Sequence, residues 1–172
     1  MPYFTSGFLG GDPAVDTYPG TSTAGANAPH RLGQVEAASD GNTYMFVQAA
    51  SACALGATVQ IGPTHQIAEI TKAVAAAEFG RPGWPQVAFA QYEFGWVVIN
   101  GSSFKVKFAD ACAKNVMLYT TDTAGVVDDA TASTSQYLIA GLSLWTVSGN
   151  TASAGLASGA FPQIRRTLTA LS

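Results

Sequence analysis

Two histidines, two cysteines, three tryptophans and one adjacent pair of aspartates are the residues of this chain with the clearest chemical options. A zinc site takes three or four N, S or O donors, and His30 (in Ala-Pro-His-Arg) and His65 (in Pro-Thr-His-Gln) belong to no recognisable ligand pattern. Cys53 and Cys112 permit one disulfide by count, but their spacing matches no zinc or redox motif. Both lie among small residues, and the reading is two buried free thiols acting as small hydrophobes. Asp128-Asp129 offers the oxygen donors that Ca²⁺ takes, or half of the facing carboxylate pair of a glycosidase. Neighbours on a strand point to opposite faces, so a solvated loop is the expectation. Trp84, in the rigid segment Arg81-Pro82-Gly83-Trp84-Pro85, reads as a displayed aromatic able to stack on a sugar, whereas Trp96 and Trp145 read as core. Phosphate-cradling glycine loops and a G-x-S-x-G elbow are absent from the sequence. The expectation is therefore no catalytic, cofactor-binding or metal site, and no enzyme.

The composition agrees with that reading. Of 172 residues (17.7 kDa) only 11% are charged, against roughly 25% in an average soluble domain. The hydrophobic fraction is 48% and the mean hydropathy +0.19, so Gly, Ser, Thr and Ala replace the missing charge. Disordered chains pair low hydrophobicity with high net charge, and this chain does neither. A net charge of −3 and a pI near 5.1 give no footprint for nucleic acid. The only basic doublet is Arg165-Arg166. The first residues lack the basic and apolar regions of a signal peptide, and no stretch reaches the roughly 18 apolar residues of a membrane span. The expectation is synthesis in a cytoplasm, and a surface so poor in charge points to burial in an assembly.

These residues must be positioned by short strands. Residues 1–30 pile up turn formers without a sustained period, and read as an extended arm whose aromatics Tyr3, Phe4, Phe8 and Tyr18 dock on something. Residues 31–172 read as a single β-domain. Phe104, Val106 and Phe108 alternate with Lys105 and Lys107, which puts the lysines on the wet face of a strand. Asn100-Gly101 supplies the residue types of a type I′ turn, so a hairpin is predicted there, although Asn100-Gly101-Ser102 also matches a glycosylation sequon. A second hairpin at Asp40-Gly41 joins Leu32–Ala37 to Thr43–Gln48. Further strands are predicted at Ala57–Ile61, Gln86–Ala90, Val116–Tyr119, Tyr137–Ile139, Leu142–Val147 and Phe161–Arg165. Ile67–Glu78 has both helical spacing and a β context, and is assigned to strand. Thr121–Ser135 and Ser148–Gly159 read as long Ser/Thr/Ala/Gly loops. Strand spacing of this kind belongs to an all-β sandwich or barrel of short antiparallel strands.

The order of segments carries a resemblance. A small-residue stretch (Thr71–Ala77) precedes Gln86-Val87-Ala88-Phe89-Ala90 and Tyr92-Glu93-Phe94-Gly95-Trp96-Val97-Val98-Ile99-Asn100-Gly101. Then come Val116-Met117-Leu118-Tyr119-Thr120-Thr121, Ala124-Gly125-Val126-Val127-Asp128-Asp129, a strand ending Ile139-Ala140-Gly141, and Phe161-Pro162-Gln163-Ile164. Over about residues 31–165 this resembles small virion structural proteins of tailed bacteriophages, the kind that decorate or cement a capsid. The resemblance implies an all-β fold without catalysis, and a place on the outer capsid surface after synthesis in the bacterial host cytoplasm. It implies as partners the major capsid protein and other copies of the chain, with a trimer favoured, and neither nucleic acid nor membrane. The alternative is a carbohydrate-binding or receptor-binding β-module on a phage fibre or tail, resting on Trp84 and the Asp128-Asp129 loop.

Overall fold

Alternating residues of two long strands divide the core into two chemically different layers. The structure, a computed structural model, describes residues 2, 12–14, 16–23, 25–77, 80–109, 112–129, 136–146 and 154–166. Strand accounts for 46% of the chain and helix for 3%, so the all-β expectation holds. Five strands form a barrel: β3 (Thr43–Ala49), β4 (Val59–Ile61), β5 (Gln66–Glu69), β6 (Arg81–Pro85) and β7 (Phe94–Lys107). The order β3-β5-β4-β6-β7 returns to β3 through an antiparallel β3–β7 ladder. One pair in the ring, β3 with β5, is parallel. Two short strands flank the barrel: β1 (Thr17–Tyr18) on β7 and β2 (Val35–Ala37) on β3.

The second sheet runs from the far half of β7 through β11 (Ala154–Arg166) and β10 (Tyr137–Thr146) to β8 (Tyr119–Thr120) and β9 (Val127–Asp128). A bridge between Phe108 and Val127 brings β9 back to the end of β7, leaving that edge covered. Met45, Val47, Val59, Ile61, Ile67, Val97 and Ile99 come from four barrel strands and form the aliphatic filling. The alternate residues, Tyr44, Phe46, Phe94, Trp96 and Val98, face outward. They pack against Phe104, Val106, Leu118, Ile139, Leu142 and Leu144 beneath the second sheet.

β7 is where the fold departs from the expected hairpin. Asn100 and Gly101 lie inside this strand of 14 residues, and neither has the positive φ that a type I′ turn demands. Before Gly101 the strand pairs with β3, β6 and β1; from Gly101 onward it pairs with β11. It is one strand that changes sheets. Gly101 is needed for close approach: a Cβ there would run into the buried Asn42 side chain. Asn42 holds the crossing, its Nδ2 donating to Ser103 O at 3.0 Å and to Asp40 Oδ2 at 2.8 Å. The Asp40-Gly41 turn forms as expected, with Gly41 at φ 80° and Asp40 Oδ2 also accepting from the Tyr44 hydroxyl at 2.6 Å.

Other boundaries move for identifiable reasons. Ile67–Glu78 splits: Gln66–Glu69 is strand, and α1 (Lys72–Ala77) is a short helix. The alanine run favours helix, and Thr71 caps it, its Oγ1 accepting from Val74 N at 3.3 Å. Gln86–Ala90 is not a strand. The ladder falls one segment earlier, on Arg81–Pro85, and β6 accommodates its two prolines by changing partner from β4 to β7 within five residues. Phe89 keeps only a single bridge to Cys53. Val116–Tyr119 shrinks to Tyr119–Thr120, and Ala57–Ile61 to Val59–Ile61. Tyr137–Ile139 and Leu142–Val147 fuse into β10 around a bulge at Gly141 (φ 82°), with Val147 outside the described residues. Phe161–Arg165 belongs to the longer β11, which also takes in Ala154–Gly159 of the expected loop. Residues 148–153 of that loop, and 130–135 of the other, lie outside the described residues.

Gly101→Ala is expected to lower the free energy of unfolding by about 1–3 kcal/mol, the usual cost of overpacking. Urea unfolding measures it. An unchanged midpoint would mean that Asn42 yields freely and that the sheet crossing does not depend on this glycine.

Candidate functional site

The aromatic expectations are exchanged in the structure. Trp84 is not displayed. It lies on the outward face of β6, fully buried, with its ring 4.9 Å from Phe104 and its Nε1 donating to Thr58 Oγ1 at 3.0 Å. The segment that reads as a rigid turn is a barrel strand, so its indole has a whole sheet above it. Trp96 is buried as expected. Trp145, read from the sequence as core, is 58% exposed. Leu142 and Leu144 point into the core, which sends Ser143 and Trp145 outward. A register shift between Leu144 and Thr146 opposite β11 places Trp145 at a bulge.

A second large apolar side chain joins that flank. Residues 115–119 run antiparallel beside β10: Asn115 N donates to Leu144 O at 3.2 Å, and Ile139 N to Leu118 O at 2.8 Å. Met117, within this run, is 66% exposed. From Ala130 to Ile164 the sequence carries no Asp, Glu, Lys or Arg, and β10 and nearly all of β11 fall inside this stretch. The result is an exposed apolar pair, Trp145 near the end of β10 and Met117 in the run beside it. Sequence reasoning missed it, although the charge-free interval between Asp129 and Arg165 is a readable signal.

The other flagged residues have structural partners. The His30 ring sits edge-on or tilted to Phe46 (5.0 Å), Trp96 (5.5 Å) and Tyr18 (5.8 Å). It caps the aromatic layer with the arm's Tyr18, whose own strand pairs with Phe94 and Gly95. Fully buried Gln48 ties the same segment down, its Nε2 donating to Thr21 O at 2.9 Å and its Oε1 accepting from Gly25 N at 3.3 Å. Tyr3, Phe4 and Phe8 lie outside the described residues. His65 occupies a positive-φ turn (59°) with Gly33 against its ring. Lys105 is exposed between buried Phe104 and Val106, and Lys107 is half-buried.

Cys112, Asp128 and Asp129 come together, with one ligand atom from each within 4.8 Å of the others. Asp129 Oδ2 accepts from Ala113 N at 2.9 Å, and Asp128 Oδ1 from Asp129 N at 2.8 Å, so both carboxylates fold the local backbone. Burial, with the Asp129 carboxylate adding to it, pushes the Cys112 thiol up to about 11. Sulfur and carboxylate oxygen together form a mixed donor set in which both carboxylates already hold backbone amides. Burial likewise pushes the Cys53 thiol up to about 12, the Glu69 carboxylate contributing. Both cysteines are buried and free. Neither has the lowered pKa of a nucleophile.

No known family model matches the chain, and no relative is found among curated proteins.

Truncation separates the two outer tryptophans. Trp84→Ala is expected to cost about 3–5 kcal/mol, and Trp145→Ala no more than about 0.5 kcal/mol, both read by chemical denaturation; the reverse ranking would contradict the placement of both rings. The thiols give an independent check. At about pH 8 neither should react with an aromatic disulfide reagent until the chain unfolds. Because folding raises both thiol pKa values from 9.0, stability is full below pH 9 and falls as pH climbs towards 11–12. Rapid reaction of the native protein would show that these sites open.

Proposed function

We propose that the chain is a non-enzymatic structural protein of a bacteriophage particle. It decorates or cements the capsid by binding between major capsid subunits on the outer surface, together with other copies of itself. The observation that carries the assembly role is the outward turn of Trp145 and Met117 on the longest uncharged stretch of the chain. Soluble surfaces normally keep a quarter or more of their residues charged, and large aromatics are typical of contacts that exclude water. The phage setting comes from the sequence resemblance over about residues 31–165.

The layout of the fold suits this role. Among the described residues, barrel filling and aromatic layer are both packed with side chains, which favours binding on the exterior. Tyr18, His30 and Gln48 pin the described part of the arm segment against the barrel. A glycan-binding module drew its case from a displayed Trp84 and the Asp128-Asp129 loop; the ring is enclosed between β6 and Phe104, which leaves that reading with the loop alone.

The test is co-sedimentation of the purified chain with heads of the phage that encodes it. Saturable binding at a fixed ratio to the major capsid protein is the expected result. Heads that leave the chain in the supernatant would overturn the reading.

A further inference from the structure

We infer that a cavity on the outer face of the barrel, between the β4–β5 hairpin and α1, binds a small neutral molecule rich in hydroxyl groups, such as a single sugar unit. The cavity measures about 300 Å³ and opens to solvent. That is the lower end of the range for small-molecule sites, roughly 300–1,000 Å³, and suits one ring. The site lies apart from Trp84 and from Asp128-Asp129, and it does not depend on the capsid role.

Strand alternation places its polar groups. Val59, Ile61 and Ile67 fill the barrel, so Gln60, Gln66 and Ala68 beside them face outward. Gln60 is nonetheless buried, because the chain passes against it at Gly80, where a Cβ would strike its side chain. Gln66 is held at both ends of its amide. Its Nε2 donates to Oε1 of the buried Gln48, and its Oε1 accepts from Thr64 Oγ1, each at 3.4 Å. Those bonds fix the orientation of the amide and leave each end capacity for a further partner. Two adjacent hydroxyls can use such an amide as donor and acceptor at once. Ala50, Ala68 and Val74 supply apolar walls for the C–H face of a ring. Among the described residues no charged side chain lines the cavity, so an ionic ligand would lose water without gaining a counterion. The ligand class that fits is neutral, small and hydroxyl-bearing.

Titration of the ¹⁵N-labelled full chain with glucose, galactose, mannose and N-acetylglucosamine tests this, read by NMR of the glutamine side-chain amides. At least one sugar is expected to shift the Gln60 and Gln66 amides saturably, with a dissociation constant of roughly 1 mM. Glucuronate and protonated glucosamine should bind at least about tenfold more weakly than the neutral sugar. Val74→Trp, which fills the cavity from the helix, and Gln66→Leu, which removes the oriented amide, should each weaken binding about tenfold or more. The shift map of the natural chain needs no variant, so it decides the question even where a variant fails to fold. Methyl glycosides separate two sources of the ligand: retained binding marks the end of a glycan, and lost binding marks a free sugar, either of which upholds the inference. Sugars at tens of millimolar that leave both amides unmoved overturn it. So do shifts confined to another surface, ionic sugars that bind as well as neutral ones, or a folded Val74→Trp chain that binds like the natural one.

Discussion

A strand that serves two sheets has to be dry on both faces along one half and on only one face along the other. β7 meets that condition through its residue order. Phe94 to Ile99 are all buried, even positions facing the aromatic layer and odd positions the barrel interior. Beyond Gly101, Phe104 and Val106 stay buried while Ser103 and Lys105 reach solvent. The rest of the structure follows from this strand. It closes the barrel against β3 and carries β11 and the second sheet. Bending one continuous ladder between two sheets is how orthogonally packed β layers turn a corner. The corner here is the contact of Gly101 with Asn42.

Local periodicity was legible wherever one face of a strand was wet, as with Phe104, Val106 and Phe108 against the two lysines. The Asp40-Gly41 turn was legible because its glycine really has positive φ. Asn100-Gly101 has the same residue types but misled, since its glycine answers to a neighbour 59 positions away in sequence, Asn42, and no local pattern carries that contact. Trp84 misled for a similar reason. Prolines on either side make a local turn signal, yet β4 and β7 supply partners that turn the segment into a strand. The alanine run after Ile70 was ambiguous by composition, and Thr71 capping decided it towards helix.

The candidate site illustrates the same division. That the chain is poor in charge was plain from composition, but where the charge is missing mattered more than how much. The interval from Ala130 to Ile164 has none, and its described residues lie almost wholly in two adjacent long strands. Trp145 could not be told from a core tryptophan by residue type; the buried Leu142 and Leu144 on its own strand show which way it faces. The residues with conventional catalytic chemistry went to structural tasks. His30 caps an aromatic layer, Asp128 and Asp129 hold backbone amides, and burial together with nearby carboxylates raises the pKa of both thiols.

The proposed capsid role is tested most directly by an electron cryomicroscopy reconstruction of the phage particle to which that proposal assigns the chain. Density for the barrel on the outer face of the head, over the junctions between major capsid subunits, is the expected result. A particle without this density, or one that carries the chain inside the shell, would contradict it.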